Sequence, residues 1–263
     1  MAFANINGAV AHYRDEGRRD GRAIVFINAL GMDLRIWDDL VAPLANAYRI
    51  VRYDKRGHGL SELPAGPALI ADYAADLAAL LDRLEVGGAV IVGLSMGGLV
   101  AQALYRQRPD LVAAMALCGT AAKIGSEESW RQRMDDVARG GIEAIAEATM
   151  QRWFTAEFRA KRVSELVGWR AMLTRAPRDG YHTACGAQMR ADLRPYCGEI
   201  AVPVLCVVGE DDGSTPPTLV REFASQIGRA RFEIIAAAAH MSCIERPDVL
   251  RGLIEALARG AAA

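Results

Sequence analysis

One serine of this chain stands among glycines in a setting that could do chemistry. Gly93-Leu94-Ser95-Met96-Gly97 lies between the apolar run Ala89-Val90-Ile91-Val92 and a second apolar run that begins at Leu99. A serine hydroxyl is a weak nucleophile until a base takes its proton and the backbone holds its oxygen clear. A sharp strand-to-helix turn meets the second need. Glycine at 93 and 97 leaves room where a Cβ would strike neighbouring backbone, and the first N–H groups of the helix face any negative charge that develops.

The base is sought further along the chain. Of four histidines, only His182 and His240 follow the serine. His240 lies in AAAAHMSCIERP, just after the apolar run that ends at Ile235, which puts it at the same sheet edge as Ser95. His182 falls in a helix-rich stretch, His12 in an early hairpin and His58 in an RGHG loop, so His240 is the expected general base. An acid that orients the imidazole should come between the two. The loop GEDDGSTPP offers both Asp211 and Asp212; Asp54 also ends a strand but precedes the serine. The oxyanion of acyl transfer needs two backbone donors, expected from the N–H of Met96 and from Leu30 in Asn28-Ala29-Leu30-Gly31. There is no HExxH or CxxC pairing, so no metal site is expected, and GLSMGG fits neither a P-loop nor a dinucleotide fingerprint.

Such residues need a scaffold that ends strands at a common edge. The pattern predicts a hairpin around Asn7-Gly8, then strands at 23–27, 49–54, 89–93, 112–119, 202–209 and 231–235. Helical spacing covers 37–45, 70–84, the run from Ser95 to about 106, 217–227 and 247–259. Strands alternating with helices imply an α/β fold with a mostly parallel sheet covered on both faces. The alternation stops near Thr120. Residues 120–195 read as a helical cap insertion, with helices expected at 127–139, 142–154 and 158–175, between core segments 1–119 and 196–263.

Composition narrows the function classes. The chain has 263 residues, 52% hydrophobic and 24% charged, with a net charge of −1, which gives no reason to expect a nucleic-acid or membrane partner. No signal peptide or membrane-length apolar run is apparent. Five cysteines without CxxC spacing argue against a disulfide scaffold and for a reducing cytoplasm. Residues 120–195 carry 13 Lys and Arg against 10 Asp and Glu; the rest of the chain carries 18 against 22. The insertion is therefore the positive part of the chain.

Taken with NALGMDLRIWD (28–38), YDKRGHGLSE (53–62), GLSMGGLVAQAL (93–104), QRWFT (151–155), IAVPVLCVVGEDDGSTPP (200–217) and the stretch Ala237–Pro247, the chain resembles the α/β-hydrolases, and among them the 3-oxoadipate enol-lactonases of aromatic degradation by the β-ketoadipate route. The resemblance implies an α/β-hydrolase fold, Ser95 as nucleophile, His240 as base and, between the two loop carboxylates, Asp212 as the acid. It implies a small anionic enol lactone bearing an acetate arm as substrate, an acyl-enzyme intermediate and no cofactor. The positive insertion suits that anion, with Arg131, Arg133 and Arg152 as candidates to hold it and Trp130 and Trp153 as candidate pocket walls. The same fold and residues would serve a carboxylesterase, another lactonase, a C–C hydrolase or a perhydrolase, and some proteins of this fold bind ligands without catalysis.

Overall fold

Unbroken apolar runs become central strands here because both faces of the sheet are covered. In the computed structural model, which describes residues 1–261, the strands are β1 (Ala2–Ile6), β2 (Ala9–Gly17), β3 (Ala23–Ile27), β4 (Arg49–Tyr53), β5 (Ala89–Leu94), β6 (Val112–Cys118), β7 (Val204–Gly209) and β8 (Ala230–Ile235). They form one sheet in the order β1-β2-β4-β3-β5-β6-β7-β8. The first two form an antiparallel hairpin that turns at Asn7 and Gly8, both at positive φ. β2 also runs antiparallel to β4, and every later pairing is parallel. Ile24, Val25, Phe26, Val90, Ile91 and Val92 are fully buried.

The helices are α1 (Asp38–Leu44), α2 (Ile70–Arg83), α3 (Met96–Gln107), α4 (Glu127–Gly140), α5 (Glu143–Trp153), α6 (Ala156–Lys161), α7 (Val163–Thr174), α8 (Arg178–Arg190), α9 (Pro217–Ser225), α10 (Ser242–Glu245) and α11 (Pro247–Gly260). α2 packs on α3, and α1 packs with α10 and α11. From β3 the chain goes to β4 on one side and then returns to β5 on the other. The carboxyl ends of β3 and β5 therefore flank the point where strand order reverses, the usual place for a crevice in an open parallel sheet. Leu30 and Ser95 follow those two ends.

Five helices, α4 to α8, lie between β6 and β7, where three were expected. The single helix expected over 158–175 is broken at Arg162 (φ −111°, ψ 47°). That break lets the Arg162 guanidinium reach the Ile244 carbonyl at 3.2 Å and pair with Glu165. Helix α8 was not anticipated, because Gly180 and Gly186 weaken its helical pattern. Gly180 has a packing reason. Its Cα side lies against Gly57 in the loop after β4, and a Cβ there would come within 2.7 Å of the Gly57 Cα. α8 thus touches the core where neither backbone carries a side chain.

Candidate active site

Ser95 sits between β5 and α3 at φ 57°, ψ −117°, a conformation that side-chain-bearing residues rarely adopt. Its surroundings hold it there. Its N–H donates to the Cys118 carbonyl at 2.8 Å, and its carbonyl accepts from the Gly98 N–H and the Thr120 hydroxyl. A Cβ on Gly97 would collide with the Ile27 carbonyl, and one on Gly93 with the backbone of Gly97 and Gly98. The glycines around the serine thus answer a close approach of β3, β5 and α3.

His240 lies in the loop after β8, and Asp212 in the loop after β7. The imidazole Nδ1 and the Asp212 Oδ2 are 2.8 Å apart, and both side chains are buried. Burial would raise the Asp212 carboxyl, but the adjacent imidazole and the N–H groups of Thr215 and Ser214 outweigh it and hold the group below its ordinary value. The Thr215 hydroxyl donates to Oδ2 as well, at 2.8 Å. Asp211 is exposed, and Asp54 is committed elsewhere: it accepts from the Leu34 and Leu60 N–H groups and lies 2.7 Å from His12 Nδ1. Gly119 joins the serine to this pair. It follows Cys118, to which Ser95 is hydrogen-bonded, and a Cβ on it would lie 3.0 Å from Asp212 Oδ2 and 3.1 Å from His240 Nδ1. Among the described residues the Ser95 hydroxyl makes no hydrogen bond of its own.

Leu30 N–H and Met96 N–H have no acceptor among the described residues. A Cβ on Gly31, beside Leu30, would press on Leu173 and Tyr181 of the helical insertion, so α7 and α8 roof this loop. Below it the Lys55 ammonium is fully buried and donates to the carbonyls of Asn28 at 2.9 Å and Ala29 at 3.1 Å. A cleft of about 800 Å³ opens beside the same loop, lined by Gly31, Asp33 and Trp169 among others, and none of Ser95, Asp212 or His240 lines it.

The five insertion residues separate into groups. Trp153 stacks over His240 with ring centroids 6.4 Å apart, and its carbonyl accepts from Met241 N–H. Arg152 lies against Gly213, next to Asp212. Arg133 and Arg152 converge on the Thr149 hydroxyl, at 2.9 and 3.3 Å, and neither has a carboxylate in ion-pair reach among the described residues. Burial, with the nearby Arg133 charge, lowers the Arg152 guanidinium. The Arg133 Nε and the Tyr181 hydroxyl are buried without hydrogen-bond partners. Trp130 is buried, donates its indole N–H to the Ile124 carbonyl at 2.7 Å and presents its ring to Arg133 at 5.9 Å. Arg131 does not join them: it is exposed and paired with Glu127 one turn back along α4. An i, i+4 acid on the same helix was the sequence signal for that outward face.

Several residues at the site carry no sequence motif. Glu245 accepts from the Ala239 N–H at 2.7 Å and from the Thr155 N–H and hydroxyl, tying the His240 loop to the end of α5. Thr215 and Tyr181 likewise gain their importance only from the meeting of distant segments.

Residues 22–247 match the family described as the alpha/beta hydrolase fold. The chain belongs to the α/β-hydrolase family. Within it, this hydrolase is 33% identical over 246 residues to 3-oxoadipate enol-lactonase 2 of Acinetobacter baylyi, covering 94% of this chain and 92% of that one. Its structure matches an enol-lactonase from Burkholderia xenovorans LB400 with a TM-score of 0.94 and 39% identity, covering 97% and 99% of the two chains. It also matches a malate-bound thermophilic esterase from Thermogutta terrifontis at TM-score 0.93 and 26% identity, covering 100% and 99%. Enol-lactonases and esterases share this scaffold, and the hydrolysis of a small ester or lactone is common to them. Among the described residues, no helix is long and apolar enough to cross a membrane.

Proposed function

We propose that this hydrolase opens 3-oxoadipate enol-lactone to 3-oxoadipate through an acyl-enzyme. Ser95 is the nucleophile, His240 the general base and Asp212 the group that orients the imidazole. Ser95 Oγ attacks the ring carbonyl while His240 Nε2 takes its proton. The N–H groups of Leu30 and Met96 receive the oxyanion. Collapse breaks the ring C–O bond and releases an enolate oxygen that stays tethered to the acyl group. The proton held on His240 Nε2 then passes to the enolate carbon to give the ketone, which removes the internal nucleophile, prevents reclosure and returns the imidazole to its neutral form. Water, deprotonated by His240, then frees the acid and restores Ser95.

The observation that carries the lactone reading is the pair Arg133 and Arg152. Two guanidiniums without carboxylate partners meet at Thr149, beside the Asp212 loop. Such a pair is costly unless an anion completes it. The acetate arm of the lactone is that anion, with Trp153, Trp130 and Tyr181 walling the ring. Residues 120–195 act as the cap and 1–119 with 196–263 as the core. Five cysteines, all free and buried, suit a cytoplasmic setting.

The test compares kcat/KM for the enol lactone with that for p-nitrophenyl acetate, in wild type and in Arg133→Gln and Arg152→Gln. The lactone should be favoured, and each substitution should raise its KM about tenfold or more while leaving the neutral ester within about twofold. The esterase likeness supports a second reading, a carboxylesterase. Higher kcat/KM for the neutral ester, with no loss on removal of either arginine, would establish that reading in place of the lactonase.

A further inference from the structure

We propose that Lys55 is a positioning residue of the oxyanion hole: its ammonium, donating to the carbonyls of Asn28 and Ala29, fixes the 28–31 loop and polarises the Ala29–Leu30 peptide so that Leu30 N–H is a stronger donor. The inference rests on the reading of Leu30 N–H as an oxyanion donor.

A fully buried ammonium is expensive, and it is ordinarily retained against a carboxylate. Lys55 has none: its side-chain partners among the described residues are the two carbonyls. The charged and titratable groups around it are Asp54, Asp33 and His58. Asp54 is taken by His12 and Asp33 by Arg35. The charge is therefore directed at peptide groups. Ala29 C=O and Leu30 N–H belong to one conjugated amide, and no peptide bond among the described residues is cis, so the two groups point in opposite directions. A cation seated on the oxygen leaves the N–H aimed away from it. Drawing electron density toward the oxygen deepens the positive end at hydrogen, as in any chain of hydrogen bonds in a low-dielectric interior. Leu30 N–H, unbonded among the described residues, is the end that gains.

Holding the loop needs only a neutral donor; polarising the peptide needs charge. That difference sets the test. Burial pulls the Lys55 ammonium down to about 7, so charge is lost across an accessible range. The full chain would be made with Lys55→Gln, which keeps a donor without charge, and with Lys55→Met, which keeps neither. The expected result is a kcat about ten- to hundredfold lower in both variants for p-nitrophenyl acetate, with KM within about threefold. In wild type kcat should carry a decline above neutrality that both variants lack. A second measurement needs neither turnover nor these variants. In His240→Gln protein, where the imidazole no longer titrates, the Leu30 amide ¹⁵N shift should step near pH 7, and Lys55→Met should abolish the step. A Gln variant with wild-type kcat, or a Leu30 amide that does not respond to pH, overturns the proposal. If wild type hydrolyses no ester or lactone, the function reading fails on its own, and the amide titration still decides whether Lys55 acts on Leu30.

Discussion

A buried carboxylate with every lone pair occupied can be tested by exchanging one oxygen. Asp212 Oδ2 meets His240 Nδ1 and the Thr215 hydroxyl, while Oδ1 accepts from the N–H groups of Ser214 and Thr215. Asparagine offers one acceptor and an NH₂ where these donors converge. It should turn the imidazole to the wrong tautomer and lower kcat about 10⁴-fold for any ester the enzyme accepts, with KM little changed. Stopped-flow kinetics checks this, and a variant within tenfold of wild type would remove Asp212 from its proposed role. The same residue gives a pH prediction. Its folded value lies below its unfolded one, so the stability it contributes is present above about pH 4 and is lost as pH falls through the folded value. Urea unfolding at pH 7 and pH 3 should show the wild-type advantage over Asp212→Asn shrinking on acidification.

Elements meet at this site through small residues, and the contact of α8 with the loop after β4 is the clearest case. Gly180→Ala places a methyl group into the Gly57 backbone. We expect a loss of about 1–3 kcal/mol in stability and a raised KM, because α8 carries Tyr181 over the 28–31 loop. Thermal unfolding with steady-state kinetics checks both, and an unchanged Tm would mean that α8 is free to shift. The sheet was legible in the sequence because its central strands are apolar runs of ordinary length, and the Ser95 turn because its glycines stand at fixed spacing between such a run and a helix. α8 was not, since glycines that weaken a helix locally were selected by a contact some 120 residues away. The break at Arg162 has no local signal either, as its reason is the Ile244 carbonyl. Glu245 shows the same limit at the site itself: an acid in SCIERP becomes a clamp on the His240 loop only after α5 arrives beside it. Arg131 and Arg133 are two positions apart on α4 and point differently. The Glu127 pairing of Arg131 was readable at i, i+4, whereas the inward turn of Arg133 depended on Thr149 from α5.

At the scale of the whole molecule, the buried ionisable groups outside the Asp212–His240 pair dictate how stability varies with pH. Burial holds the Lys55 ammonium down near 7, against an ordinary value of 10.5. Between those values the unfolded chain binds the extra proton, so stability rises with pH, by about 1.4 kcal/mol per unit. His58 is also depressed by burial, but its contribution is complete by about pH 7 and lies outside this window. Burial moves the five thiols the other way: Cys118, Cys197 and Cys243 are raised, and Cys185 and Cys206 are pushed up to about 12. Once unfolded thiols begin to ionise, near pH 8.5 to 9, the folded chain holds up to five protons that the unfolded chain releases, and stability falls by up to about 5.5 kcal/mol per unit after Lys55 is subtracted. The two trends predict a maximum of stability near pH 8.5. Urea unfolding from pH 6.5 to 10, under reducing conditions so that no thiol oxidises, should trace the rise and then the steeper decline. Lys55→Met should flatten the rising limb and make the alkaline decline steeper by about 1.4 kcal/mol per unit, because the thiols are unchanged and the opposing Lys55 contribution is gone. Equal slopes between pH 7 and 8.5 in the two proteins would mean that the Lys55 ammonium keeps its proton on folding, held by the Asn28 and Ala29 carbonyls more strongly than burial opposes it.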